Sequence, residues 1–265
     1  QEHHWSKKYE KARELYQYVI DTWPDDTEAM WAQMNLAKLF FDMGNDPNVM
    51  SALDKIIADF NDHPGADSAI FQIGELYFYK ENYSEAIELW EFILTAYPES
   101  QRESEIPYLL ATCYNRLDNY KKAIQYYTKV VEQYPDSRYG WRAPYRLGIM
   151  YRRLKDYDQS VYWFEQQRNL YSNDSLSQHA LFFQGIVYLF NMNKYSEAAD
   201  IFVEYVELYP ETENAPLAFS NLATCHEKMG DKSMAIALLQ VALSVYPDTI
   251  FAKDIIDKLR ELQEK

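Results

Sequence analysis

The feature that most constrains this chain is a set of small residues recurring at nearly constant intervals. Ala12, Ala52, Ala86, Ala123, Ser160, Ala198 and Ala235 are separated by 40, 34, 37, 37, 38 and 37 positions. Twelve residues after each comes Pro24, Pro64, Pro98, Pro135, Ser172, Pro210 or Pro247, and three before each lies Tyr9, Val49, Tyr83, Tyr120, Tyr157, Tyr195 or Lys232. A second small set, Ala37, Gly74, Ala111, Gly148, Gly185 and Ala223, marks the other half of each unit. Each of these is followed three residues later by Phe40, Tyr77, Tyr114, Tyr151, Tyr188 or His226. A period of this length means that supersecondary units stack along the chain.

Each unit reads as two helices. Large apolar residues recur three and four apart, as in Ile87, Trp90 and Leu94, and so line one buried helical face. Small residues let neighbouring helix axes approach closely. The proline stops the second helix, because the residue before it is pushed out of α geometry. Glu81-Asn82, Asp118-Asn119 and Gly230-Asp231 supply turns between the halves. A lone helical hairpin cannot bury its apolar face, so neighbouring hairpins must cover it. The spacing predicts second helices near 6–22, 47–60, 83–96, 120–133, 157–170, 195–208 and 232–245, with no β-sheet.

This pattern of small, aromatic, small and proline positions resembles the tetratricopeptide repeat over essentially the whole chain. The resemblance implies an all-α fold, a right-handed α-solenoid of stacked helix-turn-helix hairpins forming one array. Its expected parts are a partial repeat at 1–24, full repeats at 25–64, 65–98, 99–135, 136–172, 173–210 and 211–247, and a capping helix at 248–265. Most units carry about three residues beyond the family's 34-residue period, inserted after the proline, as in YPESQRESEIPY and YPDSRYGWRAPY. That longer form is similar to bacterial envelope proteins of the outer-membrane barrel assembly lipoprotein and Tol-associated periplasmic factor kind, which favours a periplasmic or envelope location over a cytoplasmic one. No lipid-acceptor Cys stands near Gln1, so anchoring is not carried over.

The register places Ala12 in a second helix, leaving residues 1–5 only the tail of its partner. The array is expected to begin mid-repeat, with natural sequence upstream and Gln1–His4 loosely ordered. At the other end, Ile250, Phe251, Ile255, Ile256, Leu259 and Leu262 are expected on one face of the cap, opposite Asp254, Asp257, Lys258 and Glu261.

Composition narrows the function. The 41 acids against 26 Lys and Arg, a formal net charge of −15, weigh against general binding to nucleic acid or anionic membrane. The longest apolar runs, near Leu181–Phe190 and Ala235–Val245, are about half of the ~20 residues a membrane span needs. No catalytic constellation, cofactor motif or metal-ligand spacing is present. Cys113 and Cys225 share a repeat position three units apart and read as small buried apolar residues rather than a disulfide. His63 and His226 stand where other units carry an aromatic, His179 is solitary, and His3 and His4 lie at the terminus. Asn82-Tyr83-Ser84 and Asn173-Asp174-Ser175 match a glycosylation pattern too common to weigh.

One stretch reverses the charge. Arg138, Arg142, Arg146, Arg152, Arg153 and Lys155 follow one another with no acid between them. In the family, six positions of each first helix line the concave groove, and counting from Gly148 these are Arg142, Tyr145, Arg146, Ile149, Arg152 and Arg153. Two of the arginines resemble part of the family's carboxylate clamp, although Leu109, Phe71 and Glu75 stand where its Asn and Lys partners would be. The anion- or peptide-binding candidates are therefore Arg142, Arg146, Arg152 and Arg153, with Arg116. The competing expectation is a surface ion-pair network with acids of adjacent repeats, for example Glu105. Pro144 places the start of that helix near Ala143.

Phe71, Tyr108, Tyr145 and Phe182 form a row with a spacing of 37, either a groove-lining ladder for peptide or sugar rings or packing between repeats. The next unit departs from the rule at Ser160, Gln166-Gln167 and Ser172, a departure of the kind that often accompanies function. The expected function is a scaffold holding a protein or peptide partner, acidic or bearing a C-terminal carboxylate, in a groove. The alternatives are a structural array docking by its ends or convex face into an envelope assembly, and glycan binding on the aromatic row.

Overall fold

The computed structural model describes residues 2–172 and 174–264, and side chains from Lys8 onward. All of its regular elements are helical: α1 (Glu2–Thr22), α2 (Thr27–Asp42), α3 (Asp46–Phe60), α4 (Ala66–Tyr79), α5 (Tyr83–Ala96), α6 (Ile106–Arg116), α7 (Tyr120–Gln133), α8 (Ala143–Arg153), α9 (Tyr157–Leu170), α10 (Ser175–Ile186), α11 (Tyr195–Leu208), α12 (Ala215–Lys228), α13 (Lys232–Val245) and α14 (Ala252–Glu264). A 3₁₀ turn, Gly140–Arg142, leads into α8, and a π-helical segment, Val187–Met192, follows α10. The chain is an all-α fold of the solenoid type, built from helical hairpins. Two compact units divide it, Gln1–Lys129 and Val130–Lys265.

Each hairpin turns by the same device. One residue adopts the left-handed conformation, at Gly44, Glu81, Asp118, Lys155, Asn193 and Gly230. The next backbone N–H then returns to a carbonyl of the first helix, as in Asn82 to Tyr77 (2.9 Å) and Asp156 to Tyr151 (3.0 Å). This 6→1 bond satisfies an orphan carbonyl at the helix end. Only two of the six positions are glycine, so the others accept some steric cost to close the turn.

The fifth turn differs by one residue, since Lys194 donates to Tyr188 rather than to the residue after it. The π segment absorbs this insertion, which the sequence records as the single interval of 38 between Ser160 and Ala198. Where a junction carries the proline it follows the helix, and α5 and α11 stop before Pro98 and Pro210. The aromatic one residue before that proline position reaches back 36 residues. Tyr97 Oη donates to Asn61 Oδ1 (3.2 Å), Tyr171 Oη to the Pro135 carbonyl (3.3 Å), and Tyr246 Oη to the Pro210 carbonyl (2.7 Å). His63, at the same repeat position, bonds through Nε2 with Thr27 Oγ1 (2.9 Å).

The hairpin cores follow the small-residue rule. The indole of Trp90 packs so close to Gly74 that a Cβ there would lie 2.5 Å from its Nε1, and a Cβ on Gly148 would lie 2.6 Å from the Phe164 ring. Cys113 and Cys225 are wholly buried, each within its own unit. Desolvation pushes the thiols up from an ordinary 9.0, to about 12 for Cys113 and about 11 for Cys225. Both are therefore protonated at neutral pH. Their contribution to stability is complete below about pH 9 and is lost as pH rises through the folded values. Neither thiol should be alkylated in the native protein at pH 8, and both should be after unfolding. Rapid native labelling of either would contradict this burial.

Two terminal expectations need correction. Residues 2–5 do not belong to a partner helix, because α1 runs unbroken from Glu2. At the C-terminal end Ile255 and Leu262 are buried as expected, but Ile250 precedes the helix and is 86 % exposed. Lys258 lies toward the interior, where its ammonium reaches the Thr224 hydroxyl and Glu227 (3.8 Å). Desolvation lowers its pKa. The packing of Gln1–His4 and the position of Asn173 lie outside the described residues.

Candidate functional site

The arginine-bearing stretch is built from a tight loop. Gly140 passes so near the Pro135 carbonyl that a Cβ would lie 1.9 Å from its oxygen. From there the 3₁₀ turn leads to α8, whose first turn holds Pro144, so the missing N–H costs nothing. The amide of Tyr145 donates to Gln167 Oε1 (3.0 Å), which satisfies one of the helix's orphan donors.

The cations sort by the rings they sit on. Arg142 lies 4.6 Å from the Trp141 ring centre and 5.9 Å from that of Tyr139, and Arg138 lies 5.3 Å from Tyr139. These are cation–π contacts on the turn before α8. Arg146 and Arg152 instead flank Tyr145: burial raises its hydroxyl pKa, and their charges partly oppose the rise. The Arg152 guanidinium lies 5.4 Å from the Phe183 ring centre, and its Nε is buried without a hydrogen-bond partner. Phe183 is stacked on Phe164 at 6.1 Å, and Tyr145 packs edgewise near His179 at 6.5 Å. Arg153, at the end of α8, is exposed. Arg116 is also exposed, at the end of α6, and belongs to the other unit.

The Glu105 carboxylate lies 3.8 Å from Arg102 of its own unit, and Arg146 and Arg153 each have an interaction of their own. Inter-repeat pairing of the anticipated kind is seen at Arg168, which bonds Gln184 (3.0 Å) and the Glu204 carboxylate. The aromatic row is not an exposed ladder. Phe71, Tyr108 and Phe182 are buried, packing on Trp90 (5.8 Å), Tyr127 (5.4 Å) and Tyr205 (5.4 Å), while Tyr145 is half-buried. These rings follow the packing alternative because position five of each first helix turns toward its own second helix.

The departures in the fourth unit also serve packing. Ser160 Oγ donates to the Gly148 carbonyl (2.8 Å), Gln167 caps α8, and Ser177 Oγ donates to the Gln167 carbonyl (3.2 Å). Sequence reasoning passed over Phe183, which carries Arg152. It neighbours the repeated aromatic Phe182, and an aromatic pair at that point was the available signal. Among the described residues no cluster of His, Cys, Asp or Glu is arranged to hold a metal, and no helix is long and apolar enough to cross a membrane.

Tetratricopeptide-repeat family models match residues 61–136 and 217–249. Both segments carry tetratricopeptide repeats. The fold is similar to a crystal structure of the C-terminal part of a TPR repeat-containing protein from Cytophaga hutchinsonii, with TM-score 0.67, 15 % identity, and coverage of 94 % of this chain and 95 % of that one. It is also similar to a crystal structure of MamA protein, with TM-score 0.58, 19 % identity, and coverage of 71 % and 95 %. At such identities the likeness is one of fold. No curated protein matches the sequence. Within the tetratricopeptide segment 61–136, Trp90 and Tyr127 are the aromatics of successive second helices, and both are wholly buried.

Proposed function

We propose that this tetratricopeptide chain is a protein-interaction scaffold that holds an acidic peptide segment on the α8–α10 face of the second unit, anchored by Arg146 and Arg152. Arg142 and Arg153 add cationic character around that anchor. One observation carries the reading: Arg152 is held over Phe183 with a buried, unpartnered Nε. A buried donor left unmade costs about 1–3 kcal/mol, so this guanidinium is ordered by packing rather than by a protein acid, and its charge is left for a carboxylate. Guanidinium forks suit bidentate capture of carboxylates, and packing has already ordered this one. A chain at −15 repels acidic peptides on average, so capture needs a local reversal of sign. Screening over ~8 Å at physiological salt lets a compact cationic patch act despite distant acids.

The test is anisotropy with a labelled acidic peptide, its C-terminus free or amidated, across a salt series. Arg146→Ala and Arg152→Ala should each weaken binding by about 1.5–3 kcal/mol, the range for hydrogen bonds to charged groups, with little change in stability. An affinity unmoved by Arg152→Ala, or indifferent to salt, would overturn the reading.

A further inference from the structure

One stripe of α10 departs from what a surface helix carries. Leu176, His179, Phe183 and Ile186 are half-buried, Phe190 is 57 % exposed, and the five are spaced three and four apart through α10 into the π-helical segment. Surface helices keep charged and polar residues on such an open stripe. Here no Asp, Glu, Lys or Arg occurs from Ser175 to Asn193, and no acid occurs from Ser137 to Lys155, in a chain of 41 acids. Phe190 also sits in the one π-helical segment among the described residues. That segment ends on a left-handed Asn193 and buries Asn191 Oδ1 without a hydrogen-bond partner. Such segments carry a local cost and are frequent at functional sites.

The first helices α8 and α10 touch, and the rings at their contact make a floor. The Tyr145 ring centre lies 6.3 Å from that of Phe183 and 6.5 Å from that of His179, and the Arg152 guanidinium lies 5.4 Å from Phe183. Exposed Arg146 and Arg153 border the floor on the α8 side, seven residues or about 10 Å apart along the helix. On the α10 side the apolar stripe runs for roughly 16 Å from His179 to Phe190. An apolar stripe beside a cationic one is the complement of an amphipathic helix with acids along one flank. Spacing of three and four is the pattern of a helix-on-helix seam, and the charges flanking such a seam decide which partner it accepts.

We infer that the α8–α10 face takes its partner segment as an amphipathic α-helix of about three turns. Apolar residues of that helix, three and four apart, lie along Phe183, Ile186 and Phe190, and its acids line the flank facing Arg146 and Arg153. The inference rests on the reading of these arginines as an acid-binding anchor, and it adds the segment's conformation and its apolar contact. An extended segment sends alternate side chains to opposite faces, so it could not lay two unlike stripes side by side. A bilayer is flat, and it would meet the exposed Phe190, Arg146 and Arg153 without reaching the half-buried rings between them.

The probe is a labelled synthetic peptide of about four helical turns, with Leu three and four apart and Glu along one flank. It should bind the chain saturably and gain helical circular dichroism on binding. Phe190→Ser should weaken binding at least about tenfold and keep the parent melting temperature, because the ring is more than half exposed. Changes in the peptide need no variant to fold: a central proline, or the same residues scrambled out of the spacing, should each weaken binding as much. Equal binding of the proline or scrambled peptide would overturn the inference. If a Glu tetrapeptide still binds with dependence on salt and Arg152 while Phe190→Ser changes nothing, the arginine reading stands and the helix inference falls. If Phe190→Ser weakens the probe and Arg152→Ala does not, the arginine reading falls and takes the acidic flank with it. A dimer of the chain alone that Phe190→Ser dissolves, or equally Phe190-dependent binding to phosphatidylglycerol vesicles, would overturn the inference by revealing a different occupant.

Discussion

Trp90→Ala is expected to lower the stability of the first unit by about 3–5 kcal/mol, the range for emptying a large aromatic site in a core. The indole is wholly buried and packs on Phe71 and Phe78, each with ring centres at 5.8 Å. Its Nε1 approaches the Phe71 carbonyl at 3.4 Å, so truncation also removes that bond. Collapse cannot fill the space readily, because the facing residue is Gly74, which has no side chain to move in. Stability in a stacked-hairpin protein is approximately a sum of local terms, so the loss should be local as well. Denaturant titration followed by circular dichroism measures the total, and amide exchange should show protection falling first in α4 and α5. A loss below about 1 kcal/mol would mean that the two helices close over the vacancy, against the geometry at Gly74.

Gly148→Leu is expected to cost the second unit about 3 kcal/mol, at the upper end for overpacking a filled core. The added Cβ alone would lie 2.6 Å from Phe164 Cδ1 and Cε1. Phe164 has little room to yield, being wholly buried and stacked on Phe183. Phe183 in turn supports Arg152. The strain should therefore reach the proposed peptide anchor, and acidic-peptide affinity should fall along with stability. Pairing Gly148→Leu with Phe164→Ala returns volume to the crossing and should recover part of both losses. A single variant with unchanged stability would show that α8 and α9 can separate without cost, which close packing does not allow.

Much of the fold was legible because a stacked-hairpin array repeats one local problem. The six later second helices lie within a residue of their predicted ranges, since the proline that ends five of them and the small residue at each crossing act over a single turn. Pro144 placed the start of α8 for the same reason. The turns were half legible. Asn82, Asn119 and Asp231 mark them, yet the left-handed residue itself is Glu81 or Lys155 in two hairpins, where the 6→1 bond overrides preference.

The site was less legible, because the fate of a long side chain depends on residues far away in sequence. Composition alone located the sign reversal between Arg138 and Lys155. Only packing decided that Arg142 rests on Trp141 while Arg152 rests on Phe183, and that Phe71, Tyr108 and Phe182 face inward. The same division holds for the whole chain. Its sequence alone determined the helical hairpins, their register and their boundaries, because spacing, caps and breakers are local. Tertiary structure decided which polar substitutions are buried in hydrogen bonds and which guanidinium keeps an unpartnered donor. Those outcomes depend on how closely side chains from different repeats approach, and a linear spacing does not carry that distance.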